Sequence, residues 1–134
     1  MAPDQYWRSR YIMYTAKLGN IHLIRKFIKQ YNAKIDVIGY SKCTPLWMAA
    51  SEGHLEAVTF LIEEGADIDL SGGYFGPSLH IAAENGWLDV VRKLSQARVN
   101  VKAYDGSTYS ALQKAARAGH TSIVQDLIEA GAEQ

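Results

Sequence analysis

One pattern recurs four times in this chain, at intervals of 33 or 34 residues. Its clearest copy reads Thr44-Pro45-Leu46-Trp47-Met48-Ala49-Ala50-Ser51-Glu52-Gly53-His54. The others centre on Ile12-Met13-Tyr14-Thr15-Ala16-Lys17-Leu18-Gly19-Asn20, on Leu79-His80-Ile81-Ala82-Ala83-Glu84-Asn85-Gly86, and on Leu112-Gln113-Lys114-Ala115-Ala116-Arg117-Ala118-Gly119-His120. Gly19, Gly53, Gly86 and Gly119 mark the period. A fixed period of this length specifies a stacked array, in which each unit buries its apolar face only against its neighbours. An array presents surfaces more readily than deep pockets, which weighs against most enzyme classes.

Each unit reads as two short helices. In the second unit Thr44 is placed to cap a helix, and Pro45 suits the first helical position, where no N–H bond is lost. That helix runs to about Ser51 and carries the small pair Ala49-Ala50 on its inner side. Gly53 ends it. The next helix spans Leu55 to Glu63, with Val58, Leu61 and Ile62 as its apolar stripe. Gly65 stops it, and Ala66-Asp67-Ile68-Asp69 leads into a hairpin-like loop. Val90, Val91 and Leu94 give the same stripe in the third unit, as do Ile123, Val124, Leu127 and Ile128 in the fourth and Leu23, Ile24, Phe27 and Ile28 in the first. Asn32 stands where the first unit needs its stopping glycine, and asparagine tolerates the left-handed conformation.

The unit closely resembles the ankyrin repeat. The resemblance rests on Thr44-Pro45-Leu46 with Ala49-Ala50 and Gly53-His54, on Leu79-His80 with Ala82-Ala83, and on Gly65-Ala66-Asp67-Ile68-Asp69, and it covers residues 8 to 132. It implies an all-α helical repeat solenoid of four stacked helix–loop–helix repeats joined by hairpin-like loops. Residues 1–134 would form one domain, with repeats at approximately 8–39, 40–72, 73–105 and 106–134. The chain departs from the family at Trp47, which occupies the histidine place of the Thr-Pro-Leu-His segment, and at Arg98, which replaces a helix-stopping glycine. The first repeat keeps only its second-helix stripe and Gly19, so it reads as a cap with a solvated outer face.

Charge adds a direction. The 134 residues carry no net charge, but residues 1–42 hold eight Lys/Arg against Asp4 and Asp36. From Cys43 to Val91 there is no Lys or Arg, while eight acids occur: Glu52, Glu56, Glu63, Glu64, Asp67, Asp69, Glu84 and Asp89. The chain is electrically polar along its length, basic end first. Cys43 is the sole cysteine, so no internal disulfide can form. The start lacks an apolar signal core, and no run approaches the roughly 20 apolar residues of a membrane helix. These features predict a cytoplasmic or nuclear chain that is not secreted and does not enter a membrane.

Catalytic candidates are weak. His80, the single histidine in the Thr-Pro-Leu-His place, is implied by the resemblance to be structural, and His54 and His120 follow helix-ending glycines. No Cys/His cluster has metal-ligand spacing. Gly72-Gly73 lacks the Lys and Ser/Thr of a phosphate loop. Basic and aromatic residues do not interleave on one repeating face, which disfavours nucleic acid. Cys43 lies near a loop tip, where exposure is expected, with Lys42 as its sole activating neighbour. Neither a metal nor a cofactor is expected.

The aromatic loops are the stronger signal. By the resemblance, loop tips and the inner faces of the first helices would line a concave groove. Tyr40, Ser41 and Cys43 would come from the first loop, and Met48, Ser51 and Glu52 from the helix after it. Tyr74, Phe75, Ile81, Glu84 and Asn85 follow, then Tyr109, Lys114 and Arg117. Tyr, Phe and Met are the residue types that anchor interfaces. The expected function is therefore a non-catalytic protein-interaction module. Tyr40, Tyr74, Phe75 and Tyr109 would form its apolar centre, with Glu52, Glu84 and Arg117 at the rim. The alternative is a binder of a small apolar molecule, or an unusual enzyme acting on one, with Glu84 and His80 as the groups at hand. Self-association through the C-terminal repeat is a further expectation.

Overall fold

The computed structural model describes residues 3–39, 43–70, 77–97 and 110–131, with side chains in the first helix described from Trp7 onward. Among these residues eight helices run in order: α1 (Pro3–Leu18), α2 (Ile21–Lys29), α3 (Pro45–Ser51), α4 (Leu55–Glu63), α5 (Ser78–Asn85), α6 (Leu88–Gln96), α7 (Ala111–Arg117) and α8 (Thr121–Glu129). They form an all-α repeat solenoid. The odd-numbered helices stack as one layer, α1 on α3 on α5 on α7, and the even-numbered ones as a second, α2 on α4 on α6 on α8. Each pair from one repeat also packs together, so the core lies between the layers.

The helix ends follow from their residues. Thr44 Oγ1 accepts from the Trp47 N–H at 3.2 Å, with Pro45 at the first helical position. Ser110 and Gln113 form a reciprocal capping box: Ser110 Oγ accepts the Gln113 N–H at 3.3 Å, and Gln113 Oε1 accepts the Ser110 N–H at 2.9 Å. Asn20 Oδ1 caps α2 by accepting the Leu23 N–H at 3.1 Å. Asn32 has φ 53°, so it takes the left-handed conformation that Gly65 and Gly131 take after α4 and α8.

The core is the set of stripes expected from helical spacing. Leu46, Val58, Leu61, Leu79, Val90, Val91, Leu94, Ile123 and Leu127 are buried together with Ala49, Ala50, Ala82, Ala83 and Ala115. The alanines have no side chain beyond Cβ, so adjacent first helices approach closely. His80 lies inside this layer with no exposed surface.

Neighbouring repeats are also tied by one recurring hydrogen bond. His54 Nε2 meets the Lys17 carbonyl oxygen at 2.8 Å, Trp87 Nε1 donates to the Ser51 carbonyl oxygen at 2.9 Å, and His120 Nε2 meets the Glu84 carbonyl oxygen at 3.0 Å. In each case the ring heading a second helix reaches back to the last turn of the preceding repeat's first helix. Those last carbonyls have no partner within their own helix. The ring lies over the glycine two residues beyond its acceptor, where any Cβ would collide with it. Close approach of a ring thus explains three of the four period-marking glycines, and the indole of Trp87 serves the same end as the two imidazoles.

Three expectations change. Cys43 is 1% exposed rather than at an accessible tip. The chain has already turned inward there to enter α3, and burial pushes the thiol above its ordinary 9.0. Iodoacetamide should therefore alkylate Cys43 at least about tenfold more slowly in the native chain than in urea at neutral pH, because the thiol is both protonated and covered. The first helix extends farther toward the start of the chain than the repeat motif. This helix, α1, is 16 residues long and already helical from Pro3, and it buries Ile12, Thr15 and Ala16. The outer face of the first repeat is not solvated by polar groups: Trp7, Tyr11, Tyr14 and Leu18 are all exposed.

Candidate functional site

The period places equivalent residues of the first helices in rows across the array. One row is Tyr14, Met48, Ile81 and Lys114; the next is Lys17, Ser51, Glu84 and Arg117; the third is Leu18, Glu52, Asn85 and Ala118. The recurring ring-to-carbonyl bonds hold this register, because their acceptors Lys17, Ser51 and Glu84 are themselves one row. Asn85 Nδ2 adds a second donor to the Ser51 carbonyl oxygen, at 3.0 Å. The ends of α3 and α5 are thereby fixed side by side.

Eight of the expected site residues fall within these rows: Met48, Ser51, Glu52, Ile81, Glu84, Asn85, Lys114 and Arg117. Met48 and Ile81 are half-buried and rest against the core; Ser51 is half-buried; Glu52, Glu84, Asn85 and Arg117 are exposed. Tyr40, Ser41, Tyr74, Phe75 and Tyr109 lie outside the described residues. Cys43, being buried, does not line the surface.

Sequence reasoning missed the first-repeat members Tyr14, Lys17 and Leu18, although the 34-residue step from Gly19 to Gly53 places them. Tyr14 and Leu18 are 58% and 69% exposed, large apolar groups in solvent. With them the surface has a charge pattern. Its basic end holds Lys17, its centre Glu52 and Glu84, and its far end Lys114 and Arg117, while Met48 and Ile81 supply an apolar floor.

His80 is wholly buried while Glu84 on the same helix is exposed, so the pair does not open onto one cavity. Among the described residues no three His, Cys, Asp or Glu side chains come together to hold a metal ion. None of the described helices is long and apolar enough to cross a membrane.

Models of ankyrin repeats match residues 3–72 and residues 79–128. Ankyrin repeat and SAM domain-containing protein 6 of Danio rerio is 37% identical over 67 residues, covering 50% of this chain and 9% of that protein. Ankyrin repeat and SOCS box protein 1 of Homo sapiens is 36% identical over 62 residues, 41% of this chain and 18% of that protein. Alpha-latrocrustotoxin-Lt1a of Latrodectus tredecimguttatus is 30% identical over 57 residues, 42% of this chain and 4% of that protein. The matched stretch is thus less than a fifth of each of these relatives.

Proposed function

The chain belongs to the ankyrin-repeat family, and from that premise we propose that it binds a protein partner through the rows on its first helices and the adjoining loops. The observation that carries this reading is the fixed register of Met48, Ile81, Ser51, Glu84, Glu52 and Asn85 on α3 and α5. A surface already ordered loses little side-chain and loop entropy on binding. Its acidic centre, with no Lys or Arg from residue 43 to residue 91, selects a partner segment that brings apolar and basic groups to Glu52 and Glu84. In this reading Tyr40, Ser41, Tyr74, Phe75 and Tyr109 complete the site from the loops, and Arg117 closes its far end. Self-association would use α8, where Ile128 is 42% exposed.

The test is an affinity capture from native lysate with three chains: wild type, Glu52→Lys/Glu84→Lys, and Tyr74→Ala/Phe75→Ala. Both acids are exposed, so the first variant keeps the fold. A partner retained by wild type should be lost from the charge-reversed chain and weakened by more than about 2 kcal/mol in the aromatic variant, if those rings are anchors. A partner retained equally by all three would remove the rows and the loops from the site.

A further inference from the structure

The places equivalent to Tyr11 in the next three repeats are Pro45, Ser78 and Ala111, and all three are buried. In each of those repeats the preceding first helix stacks against this side: α1 on α3, α3 on α5, α5 on α7. Tyr11 is 55% exposed. Trp7, Tyr14 and Leu18 share its face of α1 at i−4, i+3 and i+7, and are 37%, 58% and 69% exposed. Among the described residues no helix stacks on this side of α1, and Trp7, Tyr11 and Tyr14 make it aromatic, while Leu18 stands at a place that is exposed in every repeat.

The face is already built as a platform. Trp7 meets Tyr11, Phe27 and Tyr31 edge-on at 6.1, 6.1 and 5.8 Å between centroids, and Tyr11 stacks on Phe27 at 5.8 Å with the planes 7° apart. Trp7, Arg10, Tyr11 and Tyr14 line a shallow concavity of about 310 Å³. The covering element at every equivalent place is a helix. It is not a repeat stacked in the usual way, because that packing puts Pro, Ser or Ala where α1 has Tyr11. Helix separation is set by the side chains at the contact, so tyrosine holds an incoming helix farther out.

Charge selects among occupants. Between Asp4 and Asp36 the chain has no acid but carries Arg8, Arg10, Lys17, Arg25, Lys26, Lys29 and Lys34. Lys29 is engaged by Glu64 at 2.6 Å. Arg10 and Lys17 are exposed along one flank of the aromatic face, and Lys26 lies 5.9 Å from the centre of the Tyr31 ring on the other. A second copy of the same face would bring like charges together. We infer that this face docks an amphipathic helix from a partner protein, with an apolar stripe of about three turns and acidic flanks. Trp7 to Leu18 spans roughly 16 Å, which sets that length. The face adjoins the rows on the first helices and shares Tyr14 and Leu18 with them, but Trp7, Arg10 and Tyr11 belong to it alone.

The test uses a synthetic amphipathic peptide of about 18 residues, long enough to hold a helix, with leucines at i, i+3, i+4 and i+7 and glutamates on both flanks. Its comparator has lysine for every glutamate. Binding to the whole chain is followed by calorimetry and by tryptophan fluorescence, with Trp7→Phe to separate the Trp7 signal from those of Trp47 and Trp87, and with circular dichroism of every variant. The acidic peptide should bind and the basic one should not, and 0.5 M salt should weaken binding. Tyr11→Ala should weaken it at least about tenfold. Arg10→Glu, at an exposed position, should weaken it while leaving the helical signal intact. Glu52→Lys/Glu84→Lys should leave it unchanged, which separates this face from the inner rows. No binding of the acidic peptide, or binding that survives both Tyr11→Ala and Arg10→Glu, overturns the proposal. It is equally overturned if the face takes up vesicles of three parts phosphatidylcholine to one of phosphatidylserine, or single-stranded oligothymidine, in place of the peptide. Dimerisation that Tyr11→Ala abolishes would assign the face to a second copy instead.

Discussion

Gly53→Val should destabilise the chain by about 3 kcal/mol in urea unfolding. Two effects add. Gly53 has φ 76°, a conformation that costs an L residue roughly 1–2 kcal/mol. A Cβ there also falls within the Trp87 ring. That ring cannot move aside freely, because its Nε1–H is committed to the Ser51 carbonyl oxygen at 2.9 Å. Displacing it breaks the bond that ties the third repeat to the second, at a further cost of about 1 kcal/mol. Gly119 separates the two effects. Its φ is 81°, but a Cβ there meets nothing within 4 Å. Gly119→Ala should therefore show the backbone cost alone, about 1 kcal/mol, and Trp87→Ala should relieve much of the penalty in a Gly53→Ala chain but none in Gly119→Ala. Equal losses at Gly53 and Gly119 would mean that the ring contact contributes nothing.

Leu61→Ala is the second large effect, an expected loss of about 3 kcal/mol. Leu61 is fully buried on α4, a helix in contact with α2, α3 and α6. Truncation leaves a cavity between the layers, and the helices cannot collapse into it without shifting the repeats on either side. Because repeats are coupled only through their neighbours, the midpoint should fall while the transition stays single if the four unfold together. A second transition would mean that the interface on either side of α4 had become the weak point. Ile62, half-buried on the same helix, should cost less when truncated to valine.

Much of this architecture is legible in the residues. Thr44 and Pro45 start α3, and Gly53 ends it, because each has a local reason that needs no knowledge of its surroundings. Leu55 to Glu63 is likewise bounded by its own stripe and by Gly65. The start of α1 is not legible in the same way: residues 3–11 mix polar and aromatic groups with no apolar stripe and no repeat motif, and the helix is held by α2 and α3. The burial of Cys43 depends on where the chain turns before α3, which spacing does not report. Tyr14, Lys17 and Leu18 were available from the 34-residue register, but a degenerate first motif draws attention to what it lacks instead of what it carries. The reach of Trp87 back to Ser51 requires seeing that indole and imidazole can offer one N–H at the same place.

The rows of α3 and α5 are the proposed partner-binding surface. Amide hydrogen exchange of the chain, free and saturated with the partner recovered by affinity capture, tests that most directly. The account predicts added protection in the last turns of α3 and α5, around Ser51, Glu52, Glu84 and Asn85, with the outer helices α4 and α6 unchanged. Protection confined to α4, α6 or α8, with α3 and α5 exchanging as in the free chain, would contradict it.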